Sequence, residues 1–274
     1  MVVVVASTVG VARVLDGGEP SGPVDPGPVH VHALGVDPAN RSLLIATHTG
    51  LFRLGPDAER ADRVGERHQD TMGFTVAGPD HFLGSGHPDL RDDLPPLLGL
   101  IESRDAGETW KPISLLGEVD FHVLRVRDRR VFGYDATSGR VLRSGDRGRT
   151  WTAGRPPEPL YDLVVDPIST DVILAAGQSR LLVSRDGGRT WGRGAQRTGL
   201  LAWPRRDRLY LVDPNGRTWL SRDRGSRWHA LGHIGGPPAA LLAVDANSLY
   251  AATHEGVIKT STDAGATWTI RSEP

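Results

Sequence analysis

"SRDGGRTW", Ser184–Trp191, recurs in four altered copies: SRDAGETW (Ser103–Trp110), SGDRGRTW (Ser144–Trp151), SRDRGSRW (Ser221–Trp228) and STDAGATW (Ser261–Trp268). No reaction centre is needed five times in one chain, so the octet reads as scaffold and the chemistry must lie elsewhere. Its tryptophans are spaced by 41, 40, 37 and 40 residues, and a period near 40 filled with short alternating strands marks the blades of a β-propeller. One period divides into YDLVVDP, DVILAAG, RLLVS and WGRGA, four strands from the channel outward. The octet then occupies the hairpin between the third and fourth strands. Its residues fit that place: an Asp carboxylate accepts N–H groups across a turn, and the glycine two positions later tolerates a positive φ. The Trp begins the outer strand and is expected to pack between neighbouring sheets.

A sixth unit stands in front of the first octet. Residues 30–66, HVHALGVDPANRSLLIATHTGLFRLGPDAERADRVGE, parallel the last unit, LLAVDANSLYAATHEGVIKTSTDAGATWTIRSE, but carry GPDAERADRV where the octet should be. Six units use up the chain from Val29 to Glu273. The expectation is an all-β, six-bladed β-propeller of four-stranded antiparallel blades, five of them with the octet, over residues 29–274. Ahead of it, MVVVVASTVGVARVL is apolar but too short to span a bilayer, which takes roughly 20 apolar residues. DGGEPSGPVDPGP has the Pro and Gly content of a linker. Residues 1–28 therefore read as the remnant of an export signal, or a stray strand, followed by a linker, and the protein is expected outside the cytoplasm.

The octet resembles the Asp-box, or BNR, repeat of sialidases and many other propellers. The resemblance covers most of the chain and implies that the octets sit on the outer rim of one face, away from a ligand-binding funnel. The combination of HVHALGVDP, ATHTGLF, MGFTV, SGHPD and SLLGEVDFH with these octets is similar to bacterial propellers identified as glycosylhydrolases. A sialidase would need three arginines around a carboxylate, a Tyr paired with an acid, and an Arg-Ile-Pro-like motif before the first octet. That motif is absent and Arg91 is the one arginine placed near the funnel, so sialidase activity is not expected.

In a propeller, the starts of the inner strands and the turns between second and third strands open on the same face. The strand starts carry His30, His32, His68, Asp70, Met72, Glu118, Asp120, His122, Tyr161 and Asp162. The turns carry His48, His87 with Asp89, Tyr134 with Asp135, Gln178, Asp213, and His254 with Glu255. Seven of the ten histidines thus map to one face. Singly, a histidine beside a channel is a hydrogen-bonded structural residue; together, His30, His32, His48, His68, His87, His122 and His254 form a candidate metal-ligand set. The HVH spacing puts two imidazoles at i and i+2, on one side of a regular strand. Imidazoles, with a carboxylate or the Met72 thioether, favour a divalent zinc or copper ion over magnesium or calcium. One turn of this face, GHPDLRDDLPPLLGL, is about ten residues longer than a common hairpin connection, and reads either as a lid bringing Asp89, Arg91, Asp92 and Asp93 to the site or as a solvated loop.

Bulk composition narrows the remaining choices. The 274 residues hold 32 Lys and Arg against 33 Asp and Glu, for a formal net charge of −1, and no cysteine. No electrostatic footprint for nucleic acid results, and disulfides, thiolate metal sites and a cysteine nucleophile are excluded. A monomer taking a small-molecule or glycan ligand, with no membrane span, is expected. Three functions stay open: a glycosidase using Asp70 and Asp120 as its acid and base, a metal-binding or metal-dependent hydrolytic funnel, and a non-catalytic interaction or assembly propeller. The tryptophans weigh against sugar stacking, since five lie in octets while Trp203 and Trp219 map away from the funnel.

Overall fold

The structure is a computed structural model that describes residues 27–274. The expected signal remnant and most of the linker lie outside the described residues. Among the described residues twenty-four strands follow one another without a helix. Blade 1 holds β1 (Val31–Val36), β2 (Leu43–Thr47), β3 (Gly50–Leu54) and β4 (Asp62–Arg63). Blade 2 holds β5 (Asp70–Gly78), β6 (His81–His87), β7 (Leu100–Ser103) and β8 (Lys111–Ser114). Blade 3 holds β9 (Phe121–Arg127), β10 (Arg130–Asp135), β11 (Arg140–Ser144) and β12 (Thr152–Gly154). Blade 4 holds β13 (Leu160–Val165), β14 (Ile173–Gly177), β15 (Leu181–Ser184) and β16 (Gly192–Arg193). Blade 5 holds β17 (Leu200–Arg205), β18 (Arg208–Val212), β19 (Arg217–Ser221) and β20 (His229–His233). Blade 6 holds β21 (Pro238–Ala243), β22 (Leu249–Thr253), β23 (Ile258–Ser261) and β24 (Thr269–Ser272). Each sheet pairs its four strands in chain order, all antiparallel. This is the six-bladed propeller read from the repeat.

Burial explains the strand compositions. Second strands such as LLIAT in β2 and ILAAG in β14 are covered on both faces along their length, so they read as short continuous apolar runs. Outer strands are two to five residues long and mostly exposed, as in β4 and β16, which keeps the ring's open edges too short to pair with another chain.

The octets hold the turns and seal the seams between blades. In all five the Ser hydroxyl donates to the Asp Oδ1, at 2.7–2.9 Å, and accepts the Gly N–H at 2.8 Å. The residue before that glycine also takes positive φ, for example 63° at Arg147 before 82° at Gly148. A Cβ at Gly148 would lie 2.1 Å from Leu100 Cδ2 of the preceding blade. Each octet Trp packs into the cluster shared with the blade before its own: Trp110, Trp151, Trp191, Trp228 and Trp268 seal five seams.

The sixth seam, between blades 6 and 1, has no tryptophan. Val31, Leu34, Ile45 and Phe52 meet Ala240, Ala252 and Ile258 there, with Ala58 and Ala61 against them. Arg271 of β24 crosses the seam and donates to the carbonyls of Gly55, Pro56 and Ala58 at 2.6–2.8 Å, and Ser272 Oγ donates to Glu59 O at 3.0 Å. The degenerate turn of blade 1 is therefore where the ring closes. Among the described residues no helix is long and apolar enough to cross a membrane.

Candidate metal centre in the funnel

The funnel is built by a repeated irregularity. In β1, β5, β9, β13 and β21 the pairing with the second strand skips one residue near the start, and the skipped residues are His32, Met72, His122, Tyr161 and Ala239. A β-bulge re-aims the side chain of its unpaired residue. Here it turns one side chain per blade inward, and all five line a 440 Å³ cavity together with His30 and His254. Blade 5 has no such bulge at this level, since Leu200 and Leu201 pair in sequence with Val212 and Leu211.

Three of the candidate ligands converge. His32 Nε2 lies 3.3 Å from Asp70 Oδ1, and His48 Nδ1 lies 2.9 Å from Asp70 Oδ2. One ligand atom from each of the three residues falls within 4.8 Å of the others. His32 comes from the bulge of β1, His48 from the β2–β3 turn, and Asp70 from the first position of the inner strand of the next blade. His32 Nε2 and Asp70 Oδ1 are both buried without an acceptable hydrogen bond. Ligands 2.0–2.2 Å from a tetrahedral ion stand about 3.3–3.6 Å apart, which matches their separation.

His30 and His32 both line the cavity, though not through regular strand alternation, since His30 precedes β1 with φ of 52° and His32 is the bulged residue. Both rings meet the His48 ring edge-on, at 6.1 and 6.2 Å between centroids, and of the two His32 is the one that joins the Asp70 group. His68 is exposed and gives its backbone N–H to Asp89 Oδ2 at 2.8 Å; His254 is exposed at the cavity wall. Neither joins the Asp70 group.

His87 and His122 gather around the other candidate carboxylate. His122 Nε2 donates to Asp120 Oδ2 at 2.8 Å, and His87 Nε2 lies 3.7 Å from the same oxygen. His122 is pushed above its ordinary pKa by the hydrogen bond to Asp120 and then by the charges of Asp120, Asp70 and Asp135, against the opposing effect of burial. Asp70 and Asp120, the two candidate acid and base carboxylates, are thus each engaged by two imidazoles.

The long turn of blade 2 is anchored rather than loose. Asp89 is 5% exposed, accepts the backbone N–H groups of His68 and Arg91, and pairs with the Arg91 guanidinium at 2.5 Å. Those bonds, the Arg91 side-chain bond foremost, hold Asp89 far below the usual carboxylate range. Arg67 pairs with Asp92 at 3.1 Å. The sequence placed Asp162 on the funnel face but gave no sign of its partner Arg125 on the funnel floor. There Arg125 of β9 donates to Asp162 Oδ1 at 2.6 Å, while Asp162 Oδ2 accepts Leu201 N–H at 2.8 Å, tying blades 3, 4 and 5. The only available signal was a charged residue inside the apolar run HVLRV. Burial pushes the Asp162 carboxyl upward.

No protein-family model matches the chain, and no curated protein matches its sequence. Solved structures do match. YCF48 bound to a D1 peptide superposes with a TM-score of 0.57 at 15% identity, covering 89% of this chain and 83% of that one. The GH74 xyloglucanase of Xanthomonas campestris gives 0.59 at 19% identity over 88% of this chain and 45% of its own, so the chain spans less than half of that enzyme. A chain of the nidogen/laminin complex gives 0.67 at 14% identity over 85% and 93%. At these identities the likeness is one of fold, and the protein is a six-bladed propeller that shares its architecture with both glycosylhydrolase and protein-binding propellers.

Proposed function

We propose that this protein binds a divalent transition-metal ion, zinc or copper, in its funnel through His32, His48 and Asp70. The observation that carries the reading is the convergence of three ligand atoms from two blades, two of them buried with no hydrogen bond to satisfy them. Two imidazoles with one carboxylate suit zinc or copper, whereas calcium and magnesium prefer all-oxygen sites. A bound ion facing a 440 Å³ cavity keeps room for water or substrate, the arrangement of a hydrolytic metal site. An extracytoplasmic setting belongs to the same proposal.

The test is elemental analysis by mass spectrometry after incubation with zinc or copper and desalting. His32→Ala/His48→Ala should retain one ion fewer per chain than the wild type, with an unchanged circular dichroism spectrum. Equal retention by both proteins would sink the reading. A second reading, a funnel that docks a protein segment, is supported by Tyr161, 59% exposed at the cavity wall; it predicts partner binding that survives removal of metal by a chelator.

A further inference from the structure

The funnel has a counterpart at the other end of the channel. Below the Arg125–Asp162 floor, residues from all six inner strands enclose a 340 Å³ cavity on the face of the octet turns. A small-molecule site spans about 300–1,000 Å³, with mostly apolar walls and a few placed polar groups. This cavity is built that way: Leu34, Phe74, Val164, Leu241 and Val244 supply apolar wall, and among the described residues none that lines it is acidic. A 90 Å³ constriction lined by His122, Arg125 and Asp162 lies between it and the funnel.

Two arginines supply its charge. Arg125 and Arg127 stand at i and i+2 on β9, where the pairing with β10 is regular, so both lie on the side of the strand that carries Val123 toward blade 4. Arg125 is spoken for: it donates to Asp162 Oδ1 at 2.6 Å and to Leu124 O at 2.8 Å. Arg127 is half-buried and makes no ion pair among the described residues. Acids in the adjoining turns are directed elsewhere. Asp128 lines the groove between blades 2 and 3, and Asp245 accepts the N–H groups of Asn247 and Ser248 at 2.7 and 2.9 Å. A guanidinium does not lose its proton in a protein, so Arg127 is a permanent cation at the cavity without a counter-ion. A second donor lies in the same wall: Trp203 of β17 is 6% exposed, and its Nε1 is buried with no hydrogen-bond partner. An indole N–H can only donate.

We infer that this cavity binds a small organic anion, a carboxylate carried on an apolar body, with Arg127 and Trp203 Nε1 as its donors. One unpaired guanidinium balances one negative charge, and a dianion would leave the second charge uncompensated among apolar walls. The hydrocarbon part of the ligand packs against Leu34, Val164 and Leu241. The site shares no residue with the His32, His48 and Asp70 group, so neither reading depends on the other.

The experiment is isothermal titration calorimetry of the whole chain, freed of metal by a chelator, with cinnamate as the probe and with cinnamamide and acetate as controls. Cinnamate should bind at one equivalent, and both controls should bind far more weakly, the amide for want of the charge and acetate for want of the apolar body. Arg127→Gln should weaken cinnamate by about tenfold, the loss expected for one charge-assisted hydrogen bond, and Trp203→Phe should weaken it less. Because the chain has no cysteine, position is read by blocking. Val244→Cys, at the cavity wall where Val244 is 44% exposed, should lose cinnamate binding once it carries a bulky maleimide. Ala239→Cys, in the funnel, should keep binding when labelled in the same way. No binding by the wild type, equal affinity for the amide, or unchanged affinity in Arg127→Gln would each overturn the assignment. Binding blocked from position 239 and not from position 244 would place the ligand in the funnel and overturn it as well.

Discussion

Ser184 serves its turn through one hydroxyl, which donates to Asp186 Oδ1 and accepts the N–H of Gly188, both at 2.8 Å. Removing a hydroxyl that leaves a buried N–H unpaired costs about 1–3 kcal/mol. Ser184→Ala should lower the unfolding free energy by that amount, measured by urea denaturation. The aspartates of the octets add a pH dependence. Thr109 and Thr267 hydroxyls pull Asp105 and Asp263 from 3.8 down to about 2, and Asp146 and Asp186 are drawn lower by Thr150 and Thr190. A carboxyl with a folded pKa below its unfolded value stabilises the fold above the unfolded pKa and loses that contribution as pH falls through the folded one. The urea midpoint should therefore decline from about pH 4 to pH 2. A flat midpoint across that lower range would contradict these hydrogen bonds.

At the scale of the element, the bulges at the starts of the inner strands decide what the funnel contains. Strict alternation would keep neighbouring positions on opposite faces; the skipped residue instead turns toward the channel. Ala239 and Ala240 allow a direct test, since Ala239 is the skipped residue lining the cavity while Ala240 is buried at the seam between blades 6 and 1. The chain has no cysteine of its own, so a single introduced thiol can be followed cleanly. Ala239→Cys should react rapidly with a maleimide in the folded protein and Ala240→Cys should not. Equal rates would mean that the bulge does not present position 239 to the cavity. On the funnel floor, Asp162→Ala leaves the Arg125 guanidinium and the Leu201 N–H without their acceptor. Breaking such a pair costs about 3 kcal/mol, a loss that calorimetry would register as a lowered Tm.

For the whole molecule, ring closure is the weak point. Five seams hold a tryptophan and the sixth relies on Arg271 and Ser272 reaching the backbone of the blade 1 turn. Arg271→Ala removes a charged donor shared by three carbonyls and should cost about 2 kcal/mol. The loss should appear first as faster amide exchange in blades 1 and 6, because seams elsewhere keep their packing. Uniform acceleration around the ring would show instead that the propeller opens as one unit.

The blade count and the position of each octet turn were legible in the sequence because both depend on local chemistry. A Ser, an Asp and a Gly at fixed offsets define one hairpin wherever it occurs, and their period counts the sheets. The concentration of histidines on one face was also legible, since strand direction alone sets which turns share a face. Which of them converge was not. His30 and His32 are neighbours in sequence yet only His32 joins His48 and Asp70, because a bulge overrides strand alternation and the third ligand comes from the next blade. The Arg125–Asp162 pair and the Arg271 clamp were hidden for the same reason: each joins residues of different blades, and their partnership exists only once the ring has closed.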